Sequence, residues 1–426
     1  MINLQVSIEM NGVQTKVGTI SGLTADQAVF SYSREYLESA GCVPVSVSLP
    51  LRREAFSVPQ TRCFFDGLLP EGFTRHSVIQ WAHAAENDYL SILQALGEEC
   101  IGAIQILPEG TPAPPPLYEK LSMDQVQALA REGTSKSAEI VTKTHLSLTG
   151  ASGKAGLYYH PETDTWYLPR GSAPSTHILK QSHIRFRHII ANEQLALLTA
   201  EKLGLNVSGS FIVNTGTGKE DEVLFASRRF DRRFPDSPHM VQGLPLPLRL
   251  HQEDFAQALG IPSAEKYEPA EKHYLKDMFR LLRNVSADPV ADQLALWDII
   301  VFDFLIGNTD NHLKNYSLLY APDLKSVRLA PAYDIVSTVV YPQSTREMSF
   351  HIGNERTIGS VSRESFRQAA RDAALGTTLA LSRFDRLAGR FQEALALAAA
   401  QLAYEGYSEA EKLHEKVLKY GGYRNL

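Results

Sequence analysis

Apolar and polar residues alternate from Ile2 to about Ile20, which predicts a β-hairpin turning at Asn11-Gly12. A second alternating run, Val43 to Pro50, carries two prolines and predicts an edge strand. Helical spacing extends from His76 to Leu96, and Cys100 to Leu107 reads as a further strand. Pro108 to Pro116 is proline-rich, unsuited to a helix or a central strand, and predicts a stiff linker. Strand-like runs then dominate: Leu146 to Thr149, Gly156 to Tyr159, Thr165 to Leu168, His177 to Leu179, Ser208 to Val213 and Val223 to Ser227. One amphipathic helix interrupts them, Ala191 to Leu203, with Gly204 placed as its C-cap. From Gln252 onward the spacing is mostly helical, including Tyr274 to Leu282, Val290 to Ile306 and Phe384 to Tyr404. The chain thus reads as α+β, with a subdomain over 1–108, a linker over 109–118, a β-rich part over 119–240 and a helical part over 241–426.

Composition narrows the class. At 426 residues the chain exceeds one ordinary core, and 44% hydrophobic with 21% charged residues describes a soluble globular protein. A net charge of −6 argues against a surface that binds nucleic acid non-specifically. Only Cys42, Cys63 and Cys100 occur, with no C-x-x-C pair, so neither a zinc site nor a disulfide framework is expected. The N-terminus lacks the pattern of a signal peptide, and the most apolar segment, Ile299 to Ile306, is too short to span a membrane and contains Asp303. A cytoplasmic protein without membrane contact is expected.

The sharpest chemical signal is Thr309-Asp310-Asn311-His312-Leu313-Lys314-Asn315, set directly after an apolar helix. Phosphoryl transfer needs a carboxylate to orient the acceptor hydroxyl and oxygen ligands for magnesium, and one loop can carry both as Asp and Asn five positions apart. Lys314 is placed to neutralise charge on the transferred group, while an Asx-rich turn is the alternative origin of the pattern. Asp334, in Ala330-Pro331-Ala332-Tyr333-Asp334 at the end of a short apolar strand, suits the main magnesium ligand or, alternatively, a turn cap. Lys180, ending a strand in the β-rich half, can reach the α- and β-phosphates of ATP or be a plain surface lysine, and Glu193 is its candidate carboxylate partner. Ser147 to Lys154 is a run of small residues that is either a phosphate-cradling loop or a tight hairpin, and it is no Walker A loop because Ala155 stands where Ser or Thr is required. His312 can ligate, though a lone histidine is more often a hydrogen-bonded structural residue. Arg228, Arg229, Arg232 and Arg233 can touch nucleic acid, with surface ion pairing the commoner fate.

Together these motifs resemble the HipA-like serine/threonine kinases, the toxin components of bacterial toxin–antitoxin modules. The resemblance spans nearly the whole chain. It includes Ser48-Leu49-Pro50-Leu51, Phe64 to Pro70 and Ile101-Gly102-Ala103 in the first domain, then Ser147 to Lys154, His177 to Lys180, Asn192-Glu193, Arg229-Phe230-Asp231-Arg232, Gln252-Glu253-Asp254 and the two acidic motifs. It implies a small N-terminal α/β subdomain followed by a two-lobed protein-kinase-like domain, and transfer of the γ-phosphoryl group of ATP, with Mg2+, to a protein hydroxyl. By resemblance Asp310 is the catalytic base, Asn315 and Asp334 hold magnesium, and Lys180 contacts the phosphates. Arg229 and Phe230 fall at the adenine hinge, Ile101 lies near the nucleotide, and Thr149, Gly150, Ala151 and Lys154 belong to the phosphate loop, with His312 also counted on the nucleotide side. Ser147 matches the autophosphorylated serine. Arg228 departs from the family, which often has Glu there, and the phosphate loop is more glycine-rich than usual. The resemblance also implies a HipB-like DNA-binding antitoxin, DNA contact only through that complex, and, for some members, aminoacyl-tRNA synthetases as substrates. A small-molecule phosphotransferase and a non-catalytic antitoxin-binding module are the alternatives.

Overall fold

The computed structural model describes residues 2–85, 87–132, 154–182 and 186–426. The chain forms two compact units, one from residues 1–181, 226–263 and 318–327, the other from 182–225, 264–317 and 328–426. No helix among the described residues is long and apolar enough to cross a membrane.

The first unit opens with the expected hairpin. Strands Ile2–Met10 and Val13–Gly22 pair antiparallel with Met10 opposite Val13, and Asn11 and Gly12 both take positive φ, as a two-residue turn of the right twist requires. Val29–Tyr32 and Ile104–Pro108 complete this four-stranded sheet on its two sides. Phe30, Phe56, Phe64 and Phe65, all fully buried, pack against it. A second sheet in the same unit runs in the order Leu117–Lys120, Thr165–Arg170, Lys154–His160, His177–Gln181. The proline-rich segment is fastened to this unit, with the Ser172 amide donating to the Pro114 carbonyl at 3.1 Å.

Three expectations are corrected here. Val43 to Pro50 forms no edge strand, only one bridge between Ser46 and Leu49. Buried side chains take its backbone groups instead of a ladder: the Val45 amide donates to the Tyr32 hydroxyl at 2.9 Å, the Val47 amide to Glu253 Oε1 at 3.0 Å, and the Val45 carbonyl meets His251 Nε2 at 2.8 Å. The helical stretch from His76 to Leu96 is two helices, Gly72–Trp81 and Tyr89–Leu96, parted where His83 takes φ +50°. The strand expected from Cys100 begins only at Ile104, because Gly102 turns the chain at φ +72°, where a Cβ would lie only 2.7 Å from the Gln252 backbone nitrogen.

That turn sits on a buried ion cluster. Arg229 donates to Asp231 at 2.9 and 2.7 Å, Arg232 reaches Glu99 at 2.9 Å, and the Gly102 amide donates to Asp231 at 2.8 Å. All four charged side chains are about 98% buried or more. Of the four arginines expected on the surface, Arg229 and Arg232 therefore pair in the interior, whereas Arg228 and Arg233 are exposed. Asp231 is held far below the usual carboxylate range by the two guanidiniums, which outweigh its burial.

The second unit is mostly helical, as expected of the later chain. Pro289–Ile306 starts with Asp288 accepting from the Ala291 amide and runs through the core, where Trp297 is fully buried and donates to the Ala380 carbonyl at 3.0 Å. The long helix Thr377–Tyr404 packs against it, with Phe384 and Phe391 among the contacts and Arg383 closing on Asp298 at 2.6 and 2.8 Å.

Arg229→Met should cost roughly 3–5 kcal/mol, because it strands Asp231 and weakens the support of Glu99 inside the protein. Urea unfolding of the two proteins measures this, and a cost under about 1 kcal/mol would contradict it.

Candidate active site

The acidic loop is shaped by one buried carboxylate. Asp303 sits in the last turn of the Pro289–Ile306 helix and is 2% exposed. Gly307 ends the helix at φ +84°, and a Cβ there would lie 2.3 Å from Val339, so the sharp exit needs glycine on two counts. The chain then folds back on Asp303. Asn308 donates to it through its side chain at 2.8 Å and through its amide to the Asp303 carbonyl at 2.8 Å, while the Tyr316 hydroxyl donates at 2.8 Å. Burial pushes the Asp303 carboxyl up to about 7, against the opposing pull of these hydrogen bonds.

From this base the functional residues follow. Asn308 Oδ1 accepts from the Asp310 amide at 3.1 Å, and the Asp310 carbonyl accepts from the His312 amide at 2.9 Å and from Asn315 Nδ2 at 2.8 Å. Asp310 itself is exposed, whereas Asn308, Thr309, Asn311, His312 and Lys314 are buried. Its carboxylate accepts from the Tyr267 hydroxyl at 2.7 Å. The Asn315 amide nitrogen is engaged, so its Oδ1 is the atom a cation would take.

Asp334 occupies a left-handed conformation, φ +57°, unusual for a non-glycine residue and a sign of tertiary constraint. The segment after it is clamped to the loop. Ser337 donates to the Ile306 carbonyl at 2.6 Å, Thr338 Oγ1 lies 2.7 Å from Thr309 Oγ1, and Asn192 holds Ser337 from both sides at 2.9 and 3.1 Å. Asn192 and the neighbouring buried Glu193 belong to the helix Ile189–Lys202. Tyr333 donates to the Lys314 carbonyl at 2.9 Å, tying the residue before Asp334 to the loop as well.

In the first unit, Lys154 and Lys180 stand directly opposite each other on adjacent antiparallel strands. Side chains at such a pair share one face, with Cβ atoms about 5 Å apart. Lys180 is only 8% exposed. Arg229 contributes to this unit through the ion cluster, and its amide donates to the Thr176 carbonyl at 2.9 Å, so its guanidinium is committed to the interior. Ile101 is partly buried beside Gly102, and Phe230 is partly exposed. Ser147, Thr149, Gly150 and Ala151 lie outside the described residues.

Comparison with known proteins gives this constellation its kin. Residues 8–107 match the family model of the HipA N-terminal domain, and residues 146–395 match that of the HipA-like C-terminal domain. The chain belongs to the HipA family of kinases. A putative kinase of Sinorhizobium fredii is 34% identical over 86% of each chain, and the serine/threonine-protein kinase toxin HipA of Shewanella oneidensis is 28% identical over 92% of this chain and 89% of that one. The solved complex of Shewanella oneidensis HipA with HipB and operator DNA contains a chain of the same fold, with a TM-score of 0.77 at 24% identity, covering 98% of this chain and 97% of that one. The α+β, kinase-like HipA architecture read from the sequence is thereby established.

Two residues that shape or touch this loop were not singled out from the sequence. Asp303 organises it, and the only trace was an acidic residue inside an apolar helix. Tyr267 touches Asp310 from 43 positions away and left no local signal.

Asp303 gives a pH test. Its carboxyl rises from an ordinary 3.8 to about 7 on folding, so the folded state holds a proton that the unfolded chain releases earlier. Its contribution to stability is full below about pH 4 and is lost as pH climbs to about 7. Asp303→Asn should flatten that dependence. The stability of the native protein relative to the variant should therefore fall between pH 5 and 7.5 in thermal melts, and parallel curves would contradict it.

Proposed function

We propose that this chain is an ATP- and Mg2+-dependent serine/threonine protein kinase, with Asp310 as the catalytic base. The supporting observation is the rigid setting of an exposed carboxylate on a buried polar scaffold, with an amide oxygen ligand, Asn315, hydrogen-bonded to the same residue. Asp310 orients the acceptor hydroxyl and takes its proton as the new oxygen–phosphorus bond forms and the bond from the γ-phosphorus to the departing ADP oxygen breaks. Asn315 and Asp334 offer the hard oxygen donors that magnesium prefers, and few protein ligands suffice because phosphate and water complete its shell. When bound, the ion neutralises charge on the phosphates. Lys180 and Lys154, opposite each other on adjacent strands, take phosphate oxygens. Lys314 adds positive charge next to the metal ligand. Arg229 and Phe230 serve the adenine side through backbone, and Ile101 borders the nucleotide.

Ser147 is the proposed autophosphorylation site, with Thr149, Gly150 and Ala151 in the same phosphate loop. A phosphate there adds roughly −1.5 to −2 charges beside the phosphates of ATP and weakens nucleotide binding. The family's toxin role, with a HipB-like DNA-binding antitoxin as partner and DNA reached through it, extends the proposal, since the Shewanella oneidensis relative is named a toxin and was solved with HipB and operator DNA. The acceptor is a protein hydroxyl, with aminoacyl-tRNA synthetases the first substrates to test.

Asp310→Ala should lower phosphorylation by at least about 10²-fold with the melting transition preserved. Phosphoproteomics comparing the active enzyme with this variant reads both loss and substrate, and near-normal turnover in the variant would sink the assignment. Mass spectrometry after incubation with Mg-ATP should find phosphate on Ser147. An active enzyme with Ser147 unmodified would remove the autophosphorylation step.

A further inference from the structure

The contact between Tyr267 and Asp310 is chemically the one a kinase makes with its acceptor. A hydroxyl donates to a carboxylate oxygen of the base, here at 2.7 Å. The phenol is an O–H donor like serine or threonine. Two further features suit a displaceable group. The backbone around Tyr267 is anchored: the next residue, Glu268, is buried, accepts from the Tyr274 amide at 2.6 Å and from His351, and pairs its own amide with the Ser349 carbonyl at 2.8 Å. The Tyr267 side chain, by contrast, is on a residue 43% exposed, with its ring edge-on to His312 at 5.2 Å. The phenol can therefore leave Asp310 by side-chain rotation while the chain stays fixed.

We propose that Tyr267 is an acceptor-side specificity residue, whose hydroxyl holds the place of the substrate hydroxyl on Asp310 and is displaced when a protein acceptor binds. This rests on the reading of Asp310 as base. Before an acceptor arrives, the phenol keeps the carboxylate oriented and excludes water from the position a nucleophile would take. An acceptor must then compete with an intramolecular donor, so weakly docking hydroxyls, small alcohols and water among them, are rejected.

The test is Tyr267→Phe, which keeps the ring and its packing, assayed beside Asp310→Ala with Mg-ATP and a protein acceptor identified as above. Removing the competitor should lower KM for the acceptor by about threefold to tenfold with kcat within twofold, and should raise ATP hydrolysis without acceptor by a similar factor, in line with a hydrogen bond to a charged group partly shared with water. A fall in kcat at unchanged KM would overturn the proposal and make Tyr267 a positioning residue only. Unchanged KM, kcat and hydrolysis would also overturn it. Phosphotyrosine at Tyr267 by mass spectrometry would overturn it in another way, making the residue an acceptor. Full activity in Asp310→Ala would instead defeat the reading of the base, whatever Tyr267→Phe does.

Discussion

A carboxylate in the last turn of a buried helix is in a hostile place. The partial negative charge at the helix end repels it, and the apolar core around Ile299 to Ile306 gives it no water. Asp303 is tolerated because the chain returns to it at once, with Asn308 and Tyr316 donating into its two oxygens. That requirement fixes the conformation of everything between. Asn308 can serve Asp303 only if the helix ends sharply at Gly307, and once placed it offers its own oxygen to the Asp310 amide. The exposed carboxylate is therefore rigid although its side chain faces solvent. Its order is set by a buried neighbour seven positions earlier.

The same demand for satisfied polar groups joins the second acidic segment to the first. Just after Asp334, Ser337 donates to the Ile306 carbonyl at the helix end, Thr338 accepts from the Thr309 amide, and Asn192 closes the network from another helix. The segments that carry Asp310 and Asp334 are therefore joined by hydrogen bonds. In the first unit the buried set Glu99, Arg229, Asp231 and Arg232 does equivalent work for the turn at Gly102 and the strand end at Thr176. Buried ion sets of this kind add little net stability over apolar packing, since desolvation consumes most of the attraction. Their product here is a defined loop geometry.

This explains what could be read from the sequence. Period and caps revealed the hairpin at Asn11-Gly12 and the helices around Ala191 to Leu203 and Val290 to Ile306, because each is stabilised by its own residues. The Asp310 and Asn315 spacing was legible because both sit on one short loop. Val43 to Pro50 misled, since its alternation feeds side-chain acceptors on Tyr32, His251 and Glu253 and not a ladder. The left-handed backbone at Asp334, the pairing of Lys154 with Lys180 and the touch of Tyr267 on Asp310 depend on tertiary placement that no local pattern carries.

On the proposed reading of Asp310 as base, Tyr267 also bears on how an exposed carboxylate can stay selective. A carboxylate facing water is hydrated, and an incoming hydroxyl must strip that shell before it is oriented. With a phenol already in place, the exchange is one O–H donor for another on the same oxygen. The acceptor must still outcompete a donor already held on the chain, at a net cost on the order of 1 kcal/mol. Discrimination falls on whatever else the acceptor brings, namely the docking contacts of a folded protein or an ordered peptide. A small alcohol offers the hydroxyl alone and has nothing with which to drive the exchange. On the proposed roles of Asp310 and Tyr267, that discrimination suits a protein acceptor better than a small-molecule one.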